Sequence, residues 1–185
     1  MKVLYNINYK MLFMSKTEEN LKVSFSGESQ ARNKYTFFAE IARKEGYHYI
    51  AKLFEETAEN EMQHAKSELE LLNGIGSTEE NLLNSIAGEK FETEVMYPEY
   101  EKTAEEEGNK KAATLFRQVK KIEEHHKSRY EKILDLLKNG SLYKRDEPIE
   151  WKCLKCGYVY VGTEAPKFCP ACGNSQGYFE PNDIF

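Results

Sequence analysis

Between residues 17 and 138 the apolar residues recur at steps of three and four, and each run is interrupted near its middle by glutamate. The segment is rich in Glu, Lys, Leu and Ala and holds a single proline, so amphipathic helices are predicted throughout. Thr17 and Thr78, each followed by two glutamates, read as N-caps with acidic first turns. Gly46 and Gly108 read as helix ends. Two helix-turn-helix hairpins follow, and two hairpins make a four-helix bundle. The inward stripe of helix A is predicted as Leu21, Phe25, Glu28, Tyr35, Phe38 and Ala42, and that of helix B as Ile50, Phe54, Thr57, Glu61, His64 and Leu71. Helix C offers Leu82, Ile86, Glu89, Glu92, Met96 and Tyr100, and helix D offers Ala112, Phe116, Val119, Glu123, His126, Tyr130 and Ile133.

The two hairpins are copies of each other. Thr17–Glu28 laid over Thr78–Glu89 at an offset of 61 agrees at eight of twelve positions. Further along the offset is 62, placing Tyr35 on Tyr97, Gly46 on Gly108, Glu61 on Glu123 and His64 on His126. Glu28 to Tyr35 is seven residues, two helical turns, whereas Glu89 to Tyr97 is eight. One extra residue inside a helix is absorbed most simply by a π-turn, which predicts an i→i+5 hydrogen bond between about Glu89 and Tyr97.

Carboxylates in the middle of apolar stripes need a cation. Burying one unpaired carboxylate costs several kcal/mol, and clustered ones also repel. Glu61-x-x-His64 and Glu123-x-x-His126 place each pair on one helix face. With a glutamate from each remaining helix they match a carboxylate-bridged di-iron or di-manganese site. Glu28, Glu61, His64, Glu89, Glu92, Glu123 and His126 are the candidate ligands; His48 and His125 lie off the stripes and read as surface residues.

After Gly140 the pattern becomes short, aromatic and punctuated by Gly and Pro. All four cysteines lie there, as Cys153-x-x-Cys156 and Cys169-x-x-Cys172, which is metal-ligand spacing. A module this small needs a metal staple. Four thiolates suit zinc or a single iron, and a redox-active neighbour favours iron. The expected divisions are an N-terminal extension (1–16), the bundle (17–138), a linker (139–149) and the cysteine module (150–185). Asn6, Asn8 and Lys10 interrupt the apolar residues near the N-terminus, so an extension is expected there rather than a targeting signal, and Met11 or Met14 is an alternative start.

The net charge of −5 argues against nucleic acid or an anionic membrane as the main partner, and no run approaches the roughly 20 apolar residues of a membrane span. The cysteine usage suits a reducing cytoplasm.

The segments "SGESQARNKYTFFAE", "EETAENEMQHAK", "AGEKFETEVMYPEY" and "KIEEHHKSRYE", with "WKCLKCGYVY" and "CPACG", resemble the rubrerythrin family from Thr17 onward. The resemblance implies a mainly α fold, a ferritin-like four-helix bundle followed by a small rubredoxin-like metal-stapled β domain. It implies a di-iron site on the seven ligands above and a mononuclear iron on Cys153, Cys156, Cys169 and Cys172. It further implies a peroxidase that reduces hydrogen peroxide to water. Glu92 would exchange with His64 on one iron as the site is oxidised, and Tyr35 and Tyr97 would hydrogen-bond ligand carboxylates. The chain has no GxGxxG fingerprint, so electrons are expected from a separate NAD(P)H-dependent reductase or a rubredoxin. Two other classes compete: a ferroxidase or iron-handling protein, which would need no external electron donor, and a zinc-ribbon adaptor, which would not need the buried carboxylates. Finally, the connector between the hairpins is too short to carry the chain back along the bundle. This predicts a domain-swapped homodimer, with Glu28, Glu61 and His64 of one chain facing Glu89, Glu92, Glu123 and His126 of the other.

Overall fold

The computed structural model describes residues 15–182; the predicted N-terminal extension and its alternative start codons fall almost wholly outside this range. Helix α1 runs Lys16–Lys44 and α2 His48–Leu71. Then come α3 (Thr78–Phe91), a π-helical turn (Glu92–Met96), α4 (Tyr97–Glu106) and α5 (Lys110–Lys138). Strands β1 (Lys144–Cys153), β2 (Val159–Glu164) and β3 (Phe179–Pro181) form an antiparallel sheet in the order β2-β1-β3. The fold is mainly α with a small C-terminal sheet, as expected. It divides into two compact units at Gly76/Ser77. In the first, α1 packs on α2; in the second, α3, the π-turn and α4 pack on α5.

The helix starts correct the sequence reading by one or two residues. Ser15 and Ser77, rather than Thr17 and Thr78, are the N-caps. Each serine hydroxyl accepts from the backbone N–H three residues on, and Glu18 and Glu80 return a carboxylate to the serine N–H, closing a capping box. The spacing Ser-x-x-Glu wins because threonine at position 17 or 78 has no glutamate three residues later to close the same box. Gly46 and Gly108 end α1 and α4 at φ of 86° and 74°, a conformation that costs glycine nothing.

The internal repeat extends to side-chain contacts. Tyr35, Phe38 and Phe54 form a ring cluster in the first unit, and Tyr97, Tyr100 and Phe116 form its counterpart in the second. Arg43 pairs with Glu55; at an offset of 62 the pair recurs as Glu105 with Arg117, the charges exchanged.

Within each hairpin the tight seam is made of small residues, among them Ala39, Ala42, Ala51, Ala58 and Ala65, then Ala104 and Ala113. Alanine lets two helices approach closely. The bulky residues of the predicted stripes sit beside that seam, and several stay open: Phe38 is 46% exposed, Ile50 44% and Leu71 69%. Here too the sequence reading is corrected, since the periodicity locates the apolar face but not what covers it.

The sheet has its own core of Trp151, Cys153, Ala165, Cys169 and Phe179. The Trp151 indole N–H donates to the Gly162 carbonyl, tying β1 to β2. Strand β1 begins at Lys144, so the sheet reaches back into the stretch read as a linker. No described helix is long and apolar enough to cross a membrane.

Candidate functional site

The candidate ligands gather into three groups whose ligand atoms lie within 4.8 Å of one another: Glu28 with Glu61 and His64; Glu89 with Glu123 and His126; and the four cysteines. In the first, Glu28 comes from α1 and the other two from successive turns of α2. The His64 Nδ1 is 2.9 Å from Glu61 and 3.5 Å from Glu28. Glu28 and Glu61 hydrogen-bond each other, and that contact raises the Glu28 carboxyl above its ordinary value and lowers that of Glu61. The Glu61 hydrogen bond is also the main cause that raises the His64 imidazole.

The second group repeats this arrangement from α3 and α5, with His126 Nδ1 2.7 Å from Glu123 and 3.8 Å from Glu89. Burial, then the hydrogen bond to Glu123, raises the Glu89 carboxyl. Its Oε2 is buried without a hydrogen-bond partner. An acceptor in that position is completed by a cation, so the residues present fit the iron they are expected to hold. Each ExxH pair brings its glutamate and histidine together on one helix face.

The predicted π-turn is present. Glu92 opens it, and the Tyr97 N–H bonds to the Glu92 carbonyl five residues back. Glu92 stands outside the three-residue group; burial first, and the Glu123 charge second, raise its carboxyl. Tyr97 is raised mainly by burial and then by Glu92, Glu123 and Glu89, which places its hydroxyl in their field. Tyr35 stacks on Phe54 at 6.2 Å between ring centroids.

Glu68 was not in the predicted stripe. It sits one turn beyond His64, accepts from the Ser24 hydroxyl and keeps a buried unpaired oxygen. The 61–64–68 spacing signals it, because steps of three and four stay on one helix face.

The four sulfurs are arranged as a tetrahedral site requires. Cys153 and Cys172 are 3.8 Å apart, and Cys156 and Cys169 are 3.7 Å apart. Metal–sulfur bonds of about 2.3 Å in a tetrahedron set sulfurs about 3.8 Å apart, against about 2.05 Å in a disulfide. The Asn174 side chain and backbone hold the Cys172 thiol down to about 6. At Cys156 the Tyr158 backbone N–H pulls downward, but burial and sharing with the other sulfurs push the thiol up to about 12.

A pH dependence follows. The raised His64 and Glu28 values stabilise the metal-free fold fully below their ordinary pKa values, and this contribution is lost as pH rises through the raised ones. Metal occupancy needs the deprotonated ligands and gains over the same range. The melting temperatures of metal-free and iron-loaded protein are therefore expected to diverge as pH rises from 5 to 8. Parallel curves in thermal unfolding would count against the assignment.

A family model described as Rubrerythrin matches residues 19–134, and one described as Rubrerythrin, rubredoxin-like domain, matches residues 151–180. The chain is 49% identical over 180 residues to a rubrerythrin of Porphyromonas gingivalis, covering 90% of each chain. It is 44% identical over 188 residues to rubrerythrin-1 of Clostridium acetobutylicum, covering 92% of this chain and 96% of the relative. Among solved structures, a mixed-valence nigerythrin is 35% identical, with 91% of this chain and 88% of that one covered and a TM-score of 0.35.

Proposed function

This chain belongs to the rubrerythrin family, di-iron proteins with a rubredoxin-like domain, and we propose that it is a peroxidase reducing hydrogen peroxide to water with electrons relayed through its four-cysteine iron. The observation that carries this reading is one chain holding both a tetrahedral four-sulfur cluster and two carboxylate–histidine groups. A one-electron relay serves a centre that consumes external electrons. H₂O₂ takes two electrons and two protons to give two waters, and the di-iron site, when loaded, supplies the two electrons.

The chain's own residues do the rest. Glu28, Glu61, Glu89, Glu123, His64 and His126 would hold the irons, and Glu92, mounted on the π-turn, would serve as a further carboxylate ligand to meet added positive charge. Tyr35 and Tyr97 orient the carboxylates beside them. Cys153, Cys156, Cys169 and Cys172 would hold the single iron, whose one-electron chemistry would take electrons from a separate NAD(P)H-dependent reductase or rubredoxin. None of the four is in a disulfide, which suits a metal site in a reducing cytoplasm.

The working unit is a domain-swapped homodimer. Level with each other at the metals, Glu61 and Glu89 put the end of α2 and the start of α3 about 33 Å apart in a single-chain bundle. The six steps from Leu72 to Thr78 reach about 22 Å fully extended. Helix α3 is regular from Thr78, so it yields no slack. The open apolar residues beside the alanine seams supply the surface a second copy would cover.

Steady-state assay with NAD(P)H, a rubredoxin reductase and H₂O₂ tests the proposal. Peroxide-dependent NAD(P)H oxidation is expected, and Glu123→Ala should abolish it while leaving the red colour of the four-cysteine iron. Turnover that survives Glu123→Ala would reject the assignment.

A further inference from the structure

The stretch that follows α5, expected from the sequence as a linker, is tied down from both sides. Gly140, left-handed at φ of 64°, ends the helix in a Schellman motif. Its N–H donates to the Leu137 carbonyl at 3.2 Å, and the Ser141 N–H donates to the Leu136 carbonyl at 2.9 Å. The Ser141 carbonyl then accepts twice, from the Lys144 N–H at 3.1 Å and from Arg145 Nη1 at 3.0 Å. The same Nη1 donates to the Lys144 carbonyl at 2.6 Å. On its other side the Arg145 guanidinium lies over the Trp151 ring, 5.3 Å from the centroid and within cation–π reach. Trp151 is fully buried in the core it shares with Cys153 and Cys169, and Tyr143 packs against that core. The Tyr143 carbonyl also accepts from the Ala165 N–H at 3.0 Å, a backbone tie between the same turn and the same core. One side chain therefore touches both ends. Arg145 grips the turn leaving the helix that carries Glu123 and His126, and it covers the tryptophan packed with two of the four cysteines. Arginine suits this place because it is always charged, carries several N–H donors and stacks on aromatic faces.

We infer that Arg145 is a positioning residue for electron transfer: it braces the cysteine module on the end of α5, so that the electron leaves the four-cysteine centre over a path of fixed length. The step moves one electron and makes or breaks no bond. The four-cysteine centre is oxidised by one electron, and the di-iron site is reduced by one. Tunnelling between two such centres falls off exponentially with distance, so a module swinging on an open linker would spend most of its time too far from its acceptor. A brace removes that loss. The inference rests on the relay proposed above, and it holds whether the acceptor lies in the same chain or in a second copy.

Two readouts on the full-length protein test it. Trp151 is the chain's one tryptophan, so it reports on the cysteine module alone. In protein loaded with redox-inactive zinc, its time-resolved fluorescence anisotropy should decay in the wild type with the tumbling of the whole molecule. Arg145→Ala should add a faster component, because the module then moves on its own. In iron-loaded protein, fully reduced and mixed with H₂O₂, Arg145→Ala should reoxidise its di-iron site at the wild-type rate. Its red ferric absorption should return about tenfold more slowly, within the cost of an ångström-scale displacement of reacting groups. Two glycines inserted between Gly140 and Ser141, outside both metal groups, should act in the same way, and this variant decides the matter if Arg145→Ala loses metal from the cysteines. Red absorption that returns at the wild-type rate in the insertion variant at full iron content would overturn the inference, with or without a faster anisotropy component. A fast component already present in the wild type would overturn it as well. Wild-type protein whose red absorption never returns would instead reject the relay itself, and the inference with it.

Discussion

Glu92→Ala is expected to leave the protein folded and loaded with iron, yet to slow reoxidation of the reduced protein by peroxide at least tenfold, the scale on which groups that tune a metal site act. Six ligands remain in the variant, enough to hold two ferrous ions. What is lost, in the role proposed for Glu92, is the carboxylate that would meet the added positive charge of the oxidised state. The π-turn explains why this one residue can be spared at rest. Glu92 opens a turn whose hydrogen bond spans five residues, so the α3 face carrying Glu89 is preserved while the chain gains a position from which to aim a further side chain. Burial and the charge of Glu123 both resist ionisation of Glu92 in the metal-free protein. Stopped-flow mixing of reduced protein with H₂O₂ measures the effect. A variant that reoxidises at the wild-type rate would remove Glu92 from its assigned role.

If the chain forms the swapped dimer proposed above, ten flexible residues inserted between Gly74 and Gly76 are expected to yield iron-loaded monomers or unswapped dimers instead. The expectation follows from chain reach alone. About 22 Å of connector does not span about 33 Å, whereas ten more residues extend it by about another 33 Å. Native mass spectrometry with metal analysis would show the change in assembly at constant iron per chain. A wild-type structure in which one chain supplies all seven ligands would contradict the swap.

The repeat explains how much was readable beforehand. Helix identity, the glycine ends, both ExxH pairs and the π-turn follow from local rules: periodicity, positive φ, side chains on one face, and an eight-residue step where its copy has seven. The tetrahedral cysteine cluster was legible from spacing for the same reason. Missed features depend on what lies opposite in space. Ser15 and Ser77 displaced the threonines because a capping box needs a reciprocal glutamate, and only the serines have one at the right distance. The alanine seam was not separated from the bulky stripe beside it, since both obey the same period and only packing distinguishes them. Glu68 pairs with Ser24 from another helix, and Asn174 meets Cys172 across a turn; neither contact has a sequence period.

The close approach of the Glu28 and Glu61 carboxyls, and an unpaired oxygen on Glu89, are the marks of acceptors assembled ahead of their cation.

The most direct test of the central claim is to reduce the iron-loaded protein fully under anaerobic conditions, mix it with H₂O₂ or with O₂ at equal concentration, and follow the visible absorption of the four-cysteine iron. The account predicts that peroxide restores the red ferric absorption, does so faster than O₂, and releases no iron, because electrons drain from the cysteine centre through the di-iron site to peroxide. Absorption that stays bleached after peroxide, or that returns faster with O₂, would contradict a peroxidase and favour an iron-oxidising protein instead.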